Sequence, residues 1–281
     1  MGSNDTNAAI KLDNIIKSYG KHDVLKGVTM QVNKGDIYGL VGKNGAGKTT
    51  IFKMILRLSE YTSGSVSIDG SRNRKELFSN RAKVGFFVGS NFYGYLSGRS
   101  NLEYYAAAKG FKGKALKKEV DRVLDIVGLT DGKEKRKAKG YSLGMKQRLG
   151  IGNAIIGNPD ILILDEPTNG LDPQGIADIR HMIRRFRDEF GMTVIVSSHI
   201  LGELENTADR FGIVHEGVIA KEITQEDLSA KRPEVELTVS SSDLEKARKI
   251  LTENGIDILK EGKEKVTLED YYFELIGGSA E

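Results

Sequence analysis

One segment limits this chain more than any other: Gly42-Lys43-Asn44-Gly45-Ala46-Gly47-Lys48-Thr49, a G-x-x-x-x-G-K-[ST] loop. It lies between an apolar run, Asp36 to Val41, that reads as a strand, and Lys48 to Leu58, which reads as a helix. A strand–glycine loop–helix unit has a physical use. Glycines let the loop curl so that backbone N–H groups point inward, and the helix N-terminus adds its partial positive charge. The result is a cradle for phosphate oxygens. Lys48 supplies a point charge for β- and γ-phosphates, and the Thr49 hydroxyl can ligate Mg²⁺. Asn44, Gly45, Ala46, Gly47 and Thr50 complete the expected contact set.

The rest of the chain fits around that unit. Leu116, Val120, Val123, Leu124 and Val127 share one face of a helix predicted over 114–129. Ile161 to Leu164 is a continuous apolar run after Pro159, which is expected to end the helical stretch before it; such a run suits a fully buried strand. Ile176, Ile179, Ile183 and Phe186 mark another helix stopping near Gly191, and Thr193 to Val196 another buried strand. Strands alternating with helices predict an α/β fold with a mostly parallel sheet. Pro233 separates residues 1–232 from a tail, 233–281, expected to be a small β/α subdomain. In the tail, Glu234–Val239 and Ile256–Leu259 read as strands and Asp243–Asn254 as a helix. Thr267-Leu268-Glu269-Asp270 reads as a capping box opening a final helix.

Composition excludes several classes. Cysteine is absent, so disulfides, thiolate metal sites and cysteine nucleophiles are out. A net charge of +3 is too balanced for an electrostatic nucleic-acid binder. The longest uncharged stretch, Val84 to Gly98, is fifteen residues, short of the roughly 20 apolar residues that span a bilayer. No N-terminal run has the apolar core of a signal peptide. The cluster Lys133 to Lys139 reads as a solvated loop.

A second element completes the chemistry. Ile161-Leu162-Ile163-Leu164-Asp165-Glu166 is an apolar strand ending in two acids, which it delivers to the carboxyl edge of the sheet, where open α/β sheets bind ligands. Asp165 is the candidate Mg²⁺ holder and Glu166 the candidate base for an attacking water.

Tyr141-Ser142-Leu143-Gly144-Met145-Lys146-Gln147-Arg148 follows the loop and precedes the acidic strand. It resembles the signature sequence of the ATP-binding cassette (ABC) ATPases, in a variant seen among export-type systems. The resemblance covers roughly residues 10 to 230. Within it, Tyr19 matches the aromatic that stacks on adenine, Asn169-Gly170-Leu171-Asp172 the D-loop, and Ser197-Ser198-His199 the switch-histidine motif.

The resemblance implies a P-loop NTPase core, an antiparallel β subdomain and a helical subdomain at about 90–158. It also implies that ATP, with Mg²⁺, is sandwiched between the loop of one subunit and the signature of a second ATP-binding subunit, with Asp172 near the nucleotide. Ser142 and the Gly144 backbone would bind the γ-phosphate held by the partner's Lys48. The Ser142 N-cap position suits this, because a helix N-terminus then points at the anion. His199 would hold the γ-phosphate and water in line for Glu166.

One position departs from the family. Where a Q-loop glutamine is expected, the sequence reads Val88-Gly89-Ser90-Asn91; Gly89 cannot ligate anything, and Asn91 is the candidate substitute. With one cassette and no membrane span, the implied role is the ATPase subunit of a transporter, an exporter by its signature variant and the stretch Phe92–Gly98. It would sit on the cytoplasmic face of the membrane against a separate integral membrane subunit, with no nucleic acid expected. A soluble ABC ATPase acting on ribosomes, DNA or metal-cluster assembly is the alternative, and a small-molecule kinase would leave the signature and His199 without a job.

Overall fold

In the computed structural model, which describes residues 7–71, 80, 83–89, 92–230, 237, 239–256 and 258, the chain divides into two compact units, 1–225 and 226–281. The first unit opens with two long strands, β1 (Ala8–Tyr19) and β2 (His22–Asn33), paired antiparallel through a tight turn at Gly20. Next come β3 (Ile37–Val41), α1 (Lys48–Ile55) and β4 (Ser63–Ile68). β4 joins the other side of β1, which gives a three-stranded antiparallel sheet in the order β2-β1-β4. Its apolar face, with Leu12, Ile15, Leu25, Val28 and Met30, is buried against Ile51, Phe52 and Ile55 of α1 and Tyr38 and Leu40 of β3. Burying each such side chain is worth about 1.5–3 kcal/mol.

The chain continues through β5 (Val84–Val88) and three helices, α2 (Gly98–Ala108), α3 (Gly113–Val127) and α4 (Leu143–Ile155). Then follow β6 (Ile161–Asp165), α5 (Pro173–Asp188), β7 (Thr193–Ser198), α6 (Leu201–Glu205), β8 (Arg210–His215) and β9 (Val218–Thr224). The second sheet runs β5-β6-β7-β3-β8-β9, parallel except for the β9 edge. Register places Asp165 beside Ser197 and Val41 beside Ser198, so three strand ends arrive at one level. That alignment positions the site.

The helical layer uses the predicted face. Val120, Val123, Leu124 and Val127 of α3 are buried and Leu116 is half-buried. α4 comes close to it at Gly152, where a Cβ would lie 3.2 Å from Val123 and 3.3 Å from Leu102. Lys133–Lys139 is exposed except for Glu134 and Ala138, which turn inward.

Three local expectations need correction. The helix after the glycine loop ends at Ile55 rather than Leu58, because Arg57 takes a left-handed φ of 53° and Leu58 N–H reaches back to Lys53 O at 2.9 Å, a Schellman-type stop. Pro159 does not end the preceding helix; α4 has already finished at Ile155, and Gly157 turns the chain at φ 83°. In the second unit the expected helix is present as α8 (Leu244–Glu253), after the short α7 (Gln225–Ala230). However, Leu237, Val239, Ile256 and Ile258 lie outside any strand. Residues 234–236, 238, 257 and 259 of the two expected strands and the capping box at 267–270 fall outside the described residues.

Candidate functional site

The glycine loop leaves β3 and enters α1 at Gly47, whose φ of 116° is a conformation glycine adopts without strain. Gly42 is required for another reason: a Cβ there would lie 2.4 Å from Val214 O. α1 has neither a side-chain cap nor an acid in its first turn, so its N-terminal N–H groups keep their capacity for an anion. Lys48 is only 4% exposed, and its Nζ donates to Gly42 O at 2.5 Å and Lys43 O at 3.2 Å. Those carbonyls hold the ammonium inside the loop. It also pairs with Glu166 Oε1 at 3.3 Å.

β6 and β7 bring the other charges. Thr49 Oγ donates to Asp165 Oδ2 at 2.7 Å, which joins the start of α1 to the end of β6. Glu166 follows with a φ of 48°, a sparsely populated region for a side chain of this kind, and such conformations cluster where a site over-determines the backbone. Its Oε2 stands 3.0 Å from His199 Nδ1, and because a carboxylate only accepts, the Nδ1–H is the donor. One carboxylate therefore stands between Lys48 of the glycine loop and the histidine.

Sequence reasoning missed the part played by the two serines before His199. Ser197 is fully buried; its Oγ donates to Asp165 Oδ1 at 2.7 Å and accepts from Glu166 N–H at 2.9 Å. It thus fixes both acids from the neighbouring strand. Ser198 Oγ donates to Glu203 Oε2 at 2.8 Å. The only signal was their place in the histidine motif.

The signature residues stand apart from this cluster. Ser142 caps α4, accepting from Met145 N–H at 3.3 Å, as the N-cap reading expected. Ser142 and Gly144 line a cavity of about 430 Å³ with Gly170, Leu171 and Asp172, and no residue of the glycine loop borders it. Asp172 caps α5 through Gly175 N–H at 2.9 Å. Tyr19 ends β1 with its ring 48% exposed and Lys17 Nζ 4.5 Å above its centroid. Asn44, Gly45 and Ala46 lie in the loop, closed by Ala46 N–H to Lys43 O at 3.1 Å, and Thr50 stands in the first turn of α1. Gly89 has a φ of 57° with open space at its Cβ position; Asn91 lies outside the described residues.

The family profile for "ABC transporter" matches residues 25–169. The chain belongs to the ABC transporter family. As an ABC cassette it binds and hydrolyses ATP. It is 38% identical to the bacitracin transport ATP-binding protein BcrA of Enterococcus faecalis, with 96% of each chain covered. It is 43% identical to the lantibiotic transport ATP-binding protein SrtF of Streptococcus pyogenes, over 76% of this chain and 90% of that one. Among solved structures, the dimeric post-hydrolysis cassette MJ0796 bound to ADP and Pi superimposes with a TM-score of 0.69 at 27% identity, covering 77% of this chain and 98% of that one. These matches support the mostly parallel core, antiparallel subdomain and helical layer that the cassette resemblance implied.

Proposed function

We propose that this cassette is the ATP-hydrolysing subunit of an exporter for antimicrobial peptides of the bacitracin or lantibiotic kind, the cargoes named for its relatives BcrA and SrtF. Residues 1–232 form the nucleotide-binding domain, with its helical part at about 90–158, and 233–281 an extension. It works against a separate membrane subunit on the inner face of the membrane. Among the described residues no helix is long and apolar enough to cross a bilayer. A groove of about 530 Å³ beside Gly89, lined by Phe86, Phe92, Tyr93, Tyr105 and Lys109, supports the docking of that subunit at the Q-loop position.

One observation carries the hydrolytic mechanism: the Glu166 carboxylate stands 3.3 Å from Lys48 Nζ and 3.0 Å from His199 Nδ1. A γ-phosphate in the loop takes over Lys48, which frees Oε1 to accept a water proton. The water oxygen then attacks the γ-phosphorus, the bond to the β-bridging oxygen breaks, and ADP leaves. His199 keeps the carboxylate aimed through Nδ1–H, and an Nε2–H on its other side donates to a γ-phosphate oxygen. The hydroxyl of Thr49 and the carboxylate of Asp165, 2.7 Å apart, are the hard oxygen donors Mg²⁺ prefers, and the bound ion would neutralise charge on the phosphates. Phosphoryl transfer depends chiefly on positioning and electrostatics. Ser142 and Gly144 of a second copy close over the γ-phosphate, so hydrolysis is tied to dimer closure and release.

The test is size-exclusion chromatography of Glu166→Gln with ATP. Stable nucleotide-bound dimers that do not turn over are expected; a variant hydrolysing at the wild-type rate removes Glu166 from the base role.

A further inference from the structure

The sheet aligns Asp165 with Ser197, but the two loops beyond those residues leave the ladder, and Glu166 and His199 sit on them. Something must fix the spacing of the loops. Glu203, in the short α6, is placed to do so. Its Oε2 accepts from Thr168 Oγ, two residues past Glu166, and from Ser198 Oγ, the residue before His199, each at 2.8 Å. Thr168 and Ser198 are 5% and 2% exposed, so their hydroxyls depend on a protein acceptor. Ser198 Oγ in turn accepts Ile200 N–H at 3.0 Å, and Leu171 N–H returns to Thr168 O at 3.1 Å. A single carboxylate oxygen therefore joins the loop bearing the base, the loop bearing the histidine and the start of Asn169–Asp172.

We propose that Glu203 is a positioning residue for ATP hydrolysis: it yokes the two loops so that Glu166 and His199 stay in hydrogen-bond contact as the nucleotide turns over. The proposal rests on the reading of Glu166 as base. In this role Glu203 acts through Thr168 and Ser198 on the loops that bear Glu166 and His199, rather than on the nucleotide. Its removal loosens the spacing by a fraction of an ångström and slows the chemical step, with the phosphate cradle intact.

The experiment measures ATPase kinetics and ATP-analogue titration on the full chain. Glu203→Ala is expected to lower kcat at least about tenfold while KM and analogue affinity stay within about twofold. Glu203→Gln, whose amide oxygen accepts both hydroxyls, is expected to recover kcat to within about threefold of wild type. Thr168→Val, close in shape to threonine, should lower kcat on its own and add nothing in the Glu203→Ala background. Wild-type kcat in Glu203→Ala or in Thr168→Val overturns the yoke, as does a Glu203→Ala loss that falls equally on nucleotide affinity. If Glu203→Ala does not fold, Thr168→Val alone decides. Glu166→Gln run alongside separates the two readings: its inactivity with a fully active Glu203→Ala overturns the yoke alone, whereas wild-type turnover in Glu166→Gln overturns the base reading as well.

Discussion

Lys48 and Ser142 are both read as γ-phosphate contacts, yet the chain treats them very differently. Lys48 is buried, held by two loop carbonyls and paired with Glu166. Around it Thr49, Asp165, Ser197 and His199 form a continuous network drawn from α1, β6 and β7. Ser142 is exposed at the tip of α4; its one local duty is to cap that helix, and exposed Leu143 stands beside it. The contrast teaches how the labour is divided. Chemistry is built inside one copy, where side chains from adjacent parallel strands can be wired rigidly. On the proposed reading, the trigger is left on the surface, where a second ATP-binding subunit engages it.

The largest expected effect breaks the wired half. Glu166→Gln keeps the shape of the side chain but cannot take a proton, so kcat should fall by about 10²–10⁴-fold, the usual worth of a general base. Direct titration with an ATP analogue should show binding retained. Lys48→Ala is the counterpart: the lost charge should appear first as weakened analogue binding. Equal behaviour of the two variants would blur the separation between gripping and cleaving.

The next prediction joins the halves. Lys48→Ala and Gly144→Asp, the second placing a carboxylate at the helix N-terminus where phosphate is expected, should each be inactive alone. In a symmetric dimer a mixture of the two contains heterodimers with one site built from intact parts. Random pairing then restores roughly a quarter of wild-type ATPase. No recovery in the mixture would mean that each copy cleaves ATP without its neighbour.

These two regions were also unequally legible in the sequence. Gly42–Thr49 could be read because all its residues serve one local purpose at fixed spacing, and Asp165-Glu166 because an apolar strand delivers them to a known edge. Ser142 was readable as an N-cap for the same reason of locality. Ser197, Thr168 and Glu203 were not, because the contacts that tie them to the acidic strand and its loop, Ser197 to Asp165 and Glu166 and Glu203 to Thr168, join residues 31 to 35 apart that only the tertiary fold brings together. In the tail, strands were expected at Glu234–Val239, from its alternation, and at Ile256–Leu259; the described residues of both segments, Leu237, Val239, Ile256 and Ile258, lie outside any strand.

A smaller effect sharpens the picture of the wired half. Ser197→Ala leaves Asp165 Oδ1 and the Glu166 N–H without the hydroxyl they share, at a residue that is itself fully buried. An orphaned buried group costs about 1–3 kcal/mol. For a domain of this size that is a fall in Tm of roughly 2–4 °C per kcal/mol. Differential scanning calorimetry should show the shift, and ATPase should fall further than stability alone explains, since both acids lose their anchor. An equivalent Ser142→Ala should cost only about 1 kcal/mol, the usual loss of a cap.

The smallest effect lies outside both halves, at Tyr19. The ring projects from the end of β1 with half its surface exposed, so truncation removes little packing and Tm should hold. If adenine stacks there, Tyr19→Ala forfeits about 0.5–1.5 kcal/mol, which is roughly a 2–10-fold rise in KM. Because the base is held equally in ground and transition states, kcat should be unchanged. Tyr19→Phe keeps the face of the ring and should leave KM near wild type. A fall in kcat for Tyr19→Ala would instead mean that the base end of the nucleotide helps set the geometry at Glu166. Adenine recognition would then belong to the wired half, and the boundary between binding and chemistry would move about the length of the nucleotide.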